Sequence, residues 1–177
     1  MQASLRHSFA IQRRVIGALL MREVITRFGR HNIGFLWLFV EPMIFTLGIA
    51  MLWSLVGLGH GHGLSPVAFA VTGYSSVLLW RNIASRCISA IQPNLALMHH
   101  RNVKVLDLFL SRALLEIAGA SLSFIILGTV FCALGWMTPP VHILKLLGGW
   151  LILMWLGTAL GVLVGSVAER SEVVEKL

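Results

Sequence analysis

The chain has 177 residues, of which 57% are hydrophobic and 12% charged, with a formal net charge of +7 and a mean hydropathy of +0.85. A soluble domain carries about a quarter charged residues, so a water-soluble globular enzyme is excluded and an integral membrane protein is indicated. Each crossing of roughly 30 Å of hydrocarbon takes about 20 residues, so the length accommodates about four crossings.

Residues 1–33 form a basic amino-terminal region in which Met1 to Arg30 has no long apolar stretch followed by a small-residue cleavage site, so the first span is expected to stay as an anchor. From Gly17 to Phe28 a helical wheel places Gly17, Leu20, Met21, Val24 and Phe28 on one side and Arg22, Glu23, Thr26 and Arg27 on the other. That pattern predicts a short basic helix in the plane of the interface. Glu23 and Arg27, one turn apart in the favourable order, support it. Two readings of this helix stand: a plain anchor, or an element that also positions the chain against a cytoplasmic partner.

Four uncharged windows follow, Pro42 to Leu58, Leu64 to Trp80, Ile117 to Val141 and Leu146 to Ala168, giving expected spans at 34–58, 65–90, 110–135 and 143–167. They are continuously apolar, whereas a transmembrane β-barrel needs alternating segments of about 10 residues. The expected fold is therefore all-α. Thirteen of the fourteen Lys and Arg residues fall on one side of these spans, with Lys145 alone on the other, so both ends are expected in the cytoplasm. The same asymmetry accounts for the positive charge without any nucleic-acid partner.

In the first span Trp37, Glu41 and Phe45 share a helical face with Gly48 and Leu52, a face expected to turn toward protein or a pathway. An intramembrane carboxylate costs about 2.5–3.5 kcal/mol at the bilayer centre and is a functional candidate by default. Glu41 lies one turn inside Trp37, and a buried acid paired with an Arg of a neighbouring helix is the competing reading. Pro42 removes one helical hydrogen bond beside it.

Between the second and third spans, Pro93 opens a segment carrying Leu95, Leu97 and Met98 beside His99, His100 and Arg101. Apolar groups flanked by charge suit insertion into a groove on another protein. A loop helix lying on the membrane is the alternative. Adjacent histidines on a helix diverge by about 100° and so make a poor metal site. His60-Gly61-His62-Gly63 likewise lacks a third ligand nearby, and no metal is expected.

In the third span Arg112 and Glu116, one turn apart, are expected to neutralise each other as a structural pair. In the fourth, Gly157, Gly161 and Gly165 clear one stripe for close helix packing. Cys87 and Cys132 fall near opposite ends of different spans, which argues against a disulfide. Five of the six tryptophans, Trp37, Trp53, Trp80, Trp136 and Trp150, fall mostly near span ends, where belts are expected. No G-x-x-x-x-G-K-[ST] phosphate loop, G-x-S-x-G or H-E-x-x-H occurs.

Several stretches resemble the membrane subunit of type 2 ABC exporters of capsular polysaccharide, related to O-antigen and polysialic acid exporter permeases. They are LLMREVITRFGRHNIGFLWLFVEP at 19–42, VTGY at 71–74, WRNIASRCISAI at 80–91, NLALMHHRNVKVLD at 94–107 and SRALLEIAGAS at 111–121. The resemblance implies a homodimeric permease of the bacterial inner membrane that moves a lipid-anchored polysaccharide outward. ATP and Mg²⁺ would be bound by a separate ATPase subunit, and no cofactor by this chain. Further partners implied are a periplasmic polysaccharide co-polymerase and an outer-membrane exporter. The stretch at 17–28 would be the interfacial helix, and 93–103 the coupling helix that docks on the ATPase. Members of the family have six spans, so residues 34–177 are expected to be a partial, carboxy-terminally truncated transmembrane domain. Two other functions stand beside the exporter: an enzyme of lipid-linked glycan assembly using Glu41, Arg81 or Arg86, and a non-transporting fragment.

Overall fold

The computed structural model describes residues 5–28, 32–57, 65–98 and 103–175, and among these the regular structure is entirely helical. Helix α1 is Leu5–Phe28 and α2 is Asn32–Val56. A continuous helical run over 66–88 consists of α3 (Pro66–Phe69), a π-helical turn (Ala70–Tyr74) and α4 (Ser75–Ile88). A 3₁₀ turn (Gln92–Asn94) leads into α5 (Leu95–Met98). The long helices α6 (Val105–Ala133) and α7 (Ile143–Glu175) complete the order.

Among the described residues three stretches, Leu36–Val56, Val105–Ala133 and Ile143–Arg170, are long and apolar enough to cross a membrane. The second expected span, 65–90, is present as the run 66–88 but is not one regular α-helix. The π-helical turn breaks its hydrogen-bond ladder, and Arg81, Asn82 and Arg86 make its inner half polar. The side of α4 that protein covers is its apolar one, while Arg81 and Arg86 stay exposed. Leu79, Ile83 and Cys87, spaced by one turn, are fully buried against Phe109, Ala113 and Ala120 of α6.

The glycine stripe of α7 packs on Ile83 and Cys87 of this same α4 face. A Cβ on Gly161 would stand 2.8 Å from Cγ2 of Ile83, and one on Gly165 would stand 2.8 Å from the Cys87 carbonyl oxygen. The absence of side chains at these positions lets the two backbones approach. Helix α2 uses a related device against α6. Its packed face is Leu38, Pro42, Thr46 and Ala50, all buried. Pro42 has no N–H to give the Leu38 carbonyl, and Gly119 of α6 lies against that oxygen, where a Cβ would come within 2.7 Å.

Helix ends are fixed by local chemistry. Ser65 caps α3 by accepting the Ala68 N–H at 3.1 Å, and its hydroxyl donates to the Trp136 carbonyl at 3.2 Å, joining two outer loops. Gly135, at φ +73°, ends α6. The Trp136 and Met137 N–H groups then turn back to the Phe131 carbonyl at 3.0 and 3.2 Å. At the other end of α6, Asp107 accepts the Lys104 N–H at 3.0 Å, starting the helix at Val105, several residues before the expected 110.

Helix α1 is longer than the expected 17–28 stretch and is rotated relative to the wheel. Leu19 is buried and Glu23 and Arg27 are half-buried, while Gly17 and Met21 are exposed. Glu23 and Arg27 turn inward because their partners are inside, while Arg22 and Thr26 of the same side stay exposed. His60 to Gly63 and His99, His100 and Arg101 lie outside the described residues.

Candidate functional site

Arg112 is 8% exposed and reaches α4, donating to the Arg86 carbonyl at 2.7 Å and to the Ser89 hydroxyl at 3.1 Å. A guanidinium at the carboxyl end of α4 suits the helix dipole. Its Nε stands 3.3 Å from the Glu23 carboxylate of α1. One turn on, Glu116 receives Arg27 of α1 at 2.6 Å and Arg86 of α4 at 3.5 Å. The pairing expected within α6 is thus replaced by pairings across helices: side chains one turn apart on one helix point alongside each other, and each finds an opposite charge on α1 closer than its helical neighbour.

Two further polar contacts hold α1. Gln12 donates to Asp107, which also caps α6. Arg22 donates to the Asn94 side chain, whose own amide donates to the Ala90 carbonyl at 2.8 Å. Asn94 is buried at the start of the segment that precedes α5. Through Arg22, Glu23 and Arg27, α1 therefore touches the connection after α4 and, at Arg112 and Glu116, the middle of α6, with Arg112 in turn holding the end of α4.

Above this network lies a polar cavity of about 240 Å³ walled by α1, α2, α4 and α6. Arg27, Glu41, Asn82, Ser85, Arg86, Ser89 and Glu116 supply its polar groups, and Leu38, Pro42 and Ala120 its apolar wall. Polar residues at 82, 85, 86 and 89 recur at helical spacing, so one face of α4 lines it. The cavity sits at the end of the bundle where the basic residues gather.

Of the three pathway candidates in α2, Glu41 alone lines this cavity. Trp37 and Phe45 are about half exposed, at 53% and 50%, on the face away from the packed Leu38, Pro42 and Thr46. The 37, 41, 45 face is thus divided, with Glu41 on the cavity and Trp37 and Phe45 exposed. Position 38 and its one-turn repeats face α6 instead, drawn by the Gly119 contact. In the docking segment Leu95 is 47% exposed, Leu97 is half-buried, and Met98 packs against the α4–α6 core. Sequence reasoning gave no role to Asn82, Ser85, Ser89, Asn94 or Asp107, and read Arg27 only as the helical partner of Glu23. The polar spacing in α4 and the Lys104, Asp107 interval were the available signals. Among the described residues no cluster of three metal-ligating side chains occurs, and both cysteines are free.

No family model matches the chain. It is 46% identical over 176 residues to the capsule polysaccharide export inner-membrane protein CtrC of Neisseria meningitidis serogroup B, covering 99% of this chain and 66% of that protein. The chain belongs to the family of capsule polysaccharide export inner-membrane proteins. Its likeness to BexB of Haemophilus influenzae, a capsule polysaccharide export inner-membrane protein, is 44% over 176 residues, covering 99% of this chain and 66% of that one. The polysialic acid transport protein KpsM of Escherichia coli is 27% identical over 172 residues, covering 97% of this chain and 67% of its own length. The chain thus spans about two thirds of the length of these family members. All the cavity-lining helices fall within the shared stretch.

Proposed function

We propose that this chain is the inner-membrane permease subunit of an ATP-driven exporter of capsular polysaccharide, acting as a pair of copies with a separate ATPase. The observation that carries the reading is the 46% identity to a capsule polysaccharide export inner-membrane protein across 99% of the chain. The helical architecture, with its three membrane-length apolar stretches, agrees with a permease. These 177 residues contain no phosphate loop, which agrees with ATP hydrolysis on a separate subunit. The cargo is a lipid-anchored polysaccharide, passed on to a periplasmic co-polymerase and an outer-membrane exporter.

In this reading the ATPase bears on the segment 93–103, with Leu95 as its exposed apolar contact and His99, His100 and Arg101 beside it. Movement there is carried through Asn94 to Arg22, along α1, and through the Arg27–Glu116 pair to the cavity wall. A helix is a stiff strut, which makes the five-residue step between Arg22 and Arg27 an effective link between docking segment and cavity.

The test is deletion of the gene in its host, followed by localisation of the polysaccharide by immunogold labelling. Polymer retained inside, with surface capsule restored by a complementing copy, is expected. Polymer absent everywhere would refute the exporter reading. Leu95→Asp should release the ATPase from membranes while leaving insertion of this chain intact. Met98 is unsuited to that test because it also packs in the core.

A further inference from the structure

Both guanidiniums of the polar cavity are already engaged, since Arg27 and Arg86 meet the same Glu116 carboxylate at 2.6 and 3.5 Å. Two cations sharing one anion, with a second carboxylate from Glu41 on the opposite wall, leave the four charged groups of the cavity balanced. An anion trap needs the reverse: free guanidinium forks without competing carboxylates. Phosphate is therefore poorly matched to this site.

What remains unengaged is different in kind. Among the described residues neither the Glu41 carboxylate nor the Asn82 carboxamide makes a hydrogen bond or an ion pair, although both are half-buried in the cavity wall. The Ser85 hydroxyl donates to the Asn82 backbone carbonyl at 3.0 Å, leaving its lone pairs open. A carboxylate accepts two hydroxyl donors, and a carboxamide both donates and accepts. Beside them Leu38, Pro42 and Ala120 give an apolar floor. Uncommitted acceptors and an amide beside an apolar patch match the hydroxyl-lined edge and carbon face of a sugar ring. A group taken out of water without partners costs free energy, and a polyhydroxylated ligand removes that cost.

We infer that Glu41 and Asn82 form a binding site for the vicinal hydroxyls of a sugar residue, entered at the cytoplasmic end of the bundle. The inference rests on the export reading and assigns to it a recognition site that reads sugar hydroxyls and not the phosphate of a lipid anchor. A cavity of about 240 Å³ holds one hexose ring, not a chain segment. The site therefore engages a single residue at a time, through Glu41 accepting from two adjacent hydroxyls and Asn82 donating to a ring or hydroxyl oxygen.

Vicinal hydroxyls also occur on the glycerol of phosphatidylglycerol, and the test separates the two sources. The purified protein in phosphatidylcholine nanodiscs is photolabelled with a dodecyl glucoside carrying a diazirine next to the sugar, and in parallel with the matching dodecyl phosphate. Labelled peptides are identified by mass spectrometry, and each variant's insertion and melting temperature are measured alongside. The glucoside is expected to label 38–42 and 82–89, with labelling reduced about tenfold by Glu41→Gln, as for loss of a hydrogen bond to a charged group. Asn82→Ala should reduce it by a smaller factor. Adding phosphatidylglycerol to the nanodiscs should leave it unchanged. Preferential labelling by the dodecyl phosphate, complete competition by phosphatidylglycerol, or indifference to both substitutions in folded protein would each overturn the assignment. The labelling needs neither ATP nor a partner subunit, so its failure is distinct from failure of capsule export in cells.

Discussion

Glu116→Gln is expected to destabilise the protein more than Arg27→Gln, and the asymmetry follows from the geometry. The Glu116 side chain is 9% exposed and serves two cations, whereas Arg27 is 17% exposed and Arg86 is 44% exposed. Breaking a buried pair by removing one partner costs about 3–5 kcal/mol, and an exposed pair is worth about 0–1 kcal/mol. Replacing Glu116 strips two guanidiniums of their carboxylate, placing its cost at about 3 kcal/mol. Replacing Arg27 leaves Glu116 with Arg86 still beside it, so the cost falls to about 1–2 kcal/mol. The assay is unfolding of the detergent-solubilised protein by added sodium dodecyl sulfate, followed by tryptophan fluorescence, for the two single variants and the double variant. Destabilisation by the double variant should be smaller than the sum, because the pair is then removed as a unit. Equal single costs, or additive ones, would refute the cross-helix network.

The glycine stripe gives a graded test: Gly165→Ala, whose Cβ would meet Phe109 at 2.7 Å and the Cys87 carbonyl oxygen at 2.8 Å, should lower stability by about 1–3 kcal/mol. Gly148→Ala, which meets nothing within 4 Å, should be neutral or slightly stabilising in the same denaturation assay. Gly119→Ala should act at a distance, moving α2 from α6 because the obstacle is the Leu38 backbone; enhanced proteolysis of the α2 region would report it, and unchanged digestion would contradict the close approach. Asn94→Ala should raise hydrogen exchange in 92–98 and in α1 together while leaving α6 protected, as Arg22 ties the two segments. Exchange rising in 92–98 alone would contradict the strut.

Composition determined the solvent and the secondary structure, because a bilayer imposes helices on any long apolar run, and charge placement supplied the expected orientation, because headgroups sort Lys and Arg. The glycine stripe at 157, 161 and 165 was also legible, since a four-residue spacing marks one face whatever it meets. Its partner was not: nothing local names Ile83 and Cys87 of α4 as the surfaces it approaches. The same limit applied to charge. Glu23 with Arg27, and Arg112 with Glu116, each satisfy the one-turn rule along the chain, yet their exchange across α1 and α6 brings opposite charges to 3.3 and 2.6 Å. Sequence spacing gives only the neighbours a helix provides for itself, whereas a low-dielectric boundary rewards whichever opposite charge can be reached after the helices pack. Glu41 was recognisable as an acid at membrane depth, but the cavity it enters exists only because α1, α2, α4 and α6 converge on it. Asn82 and Ser89 acquire their place in that wall solely from this convergence.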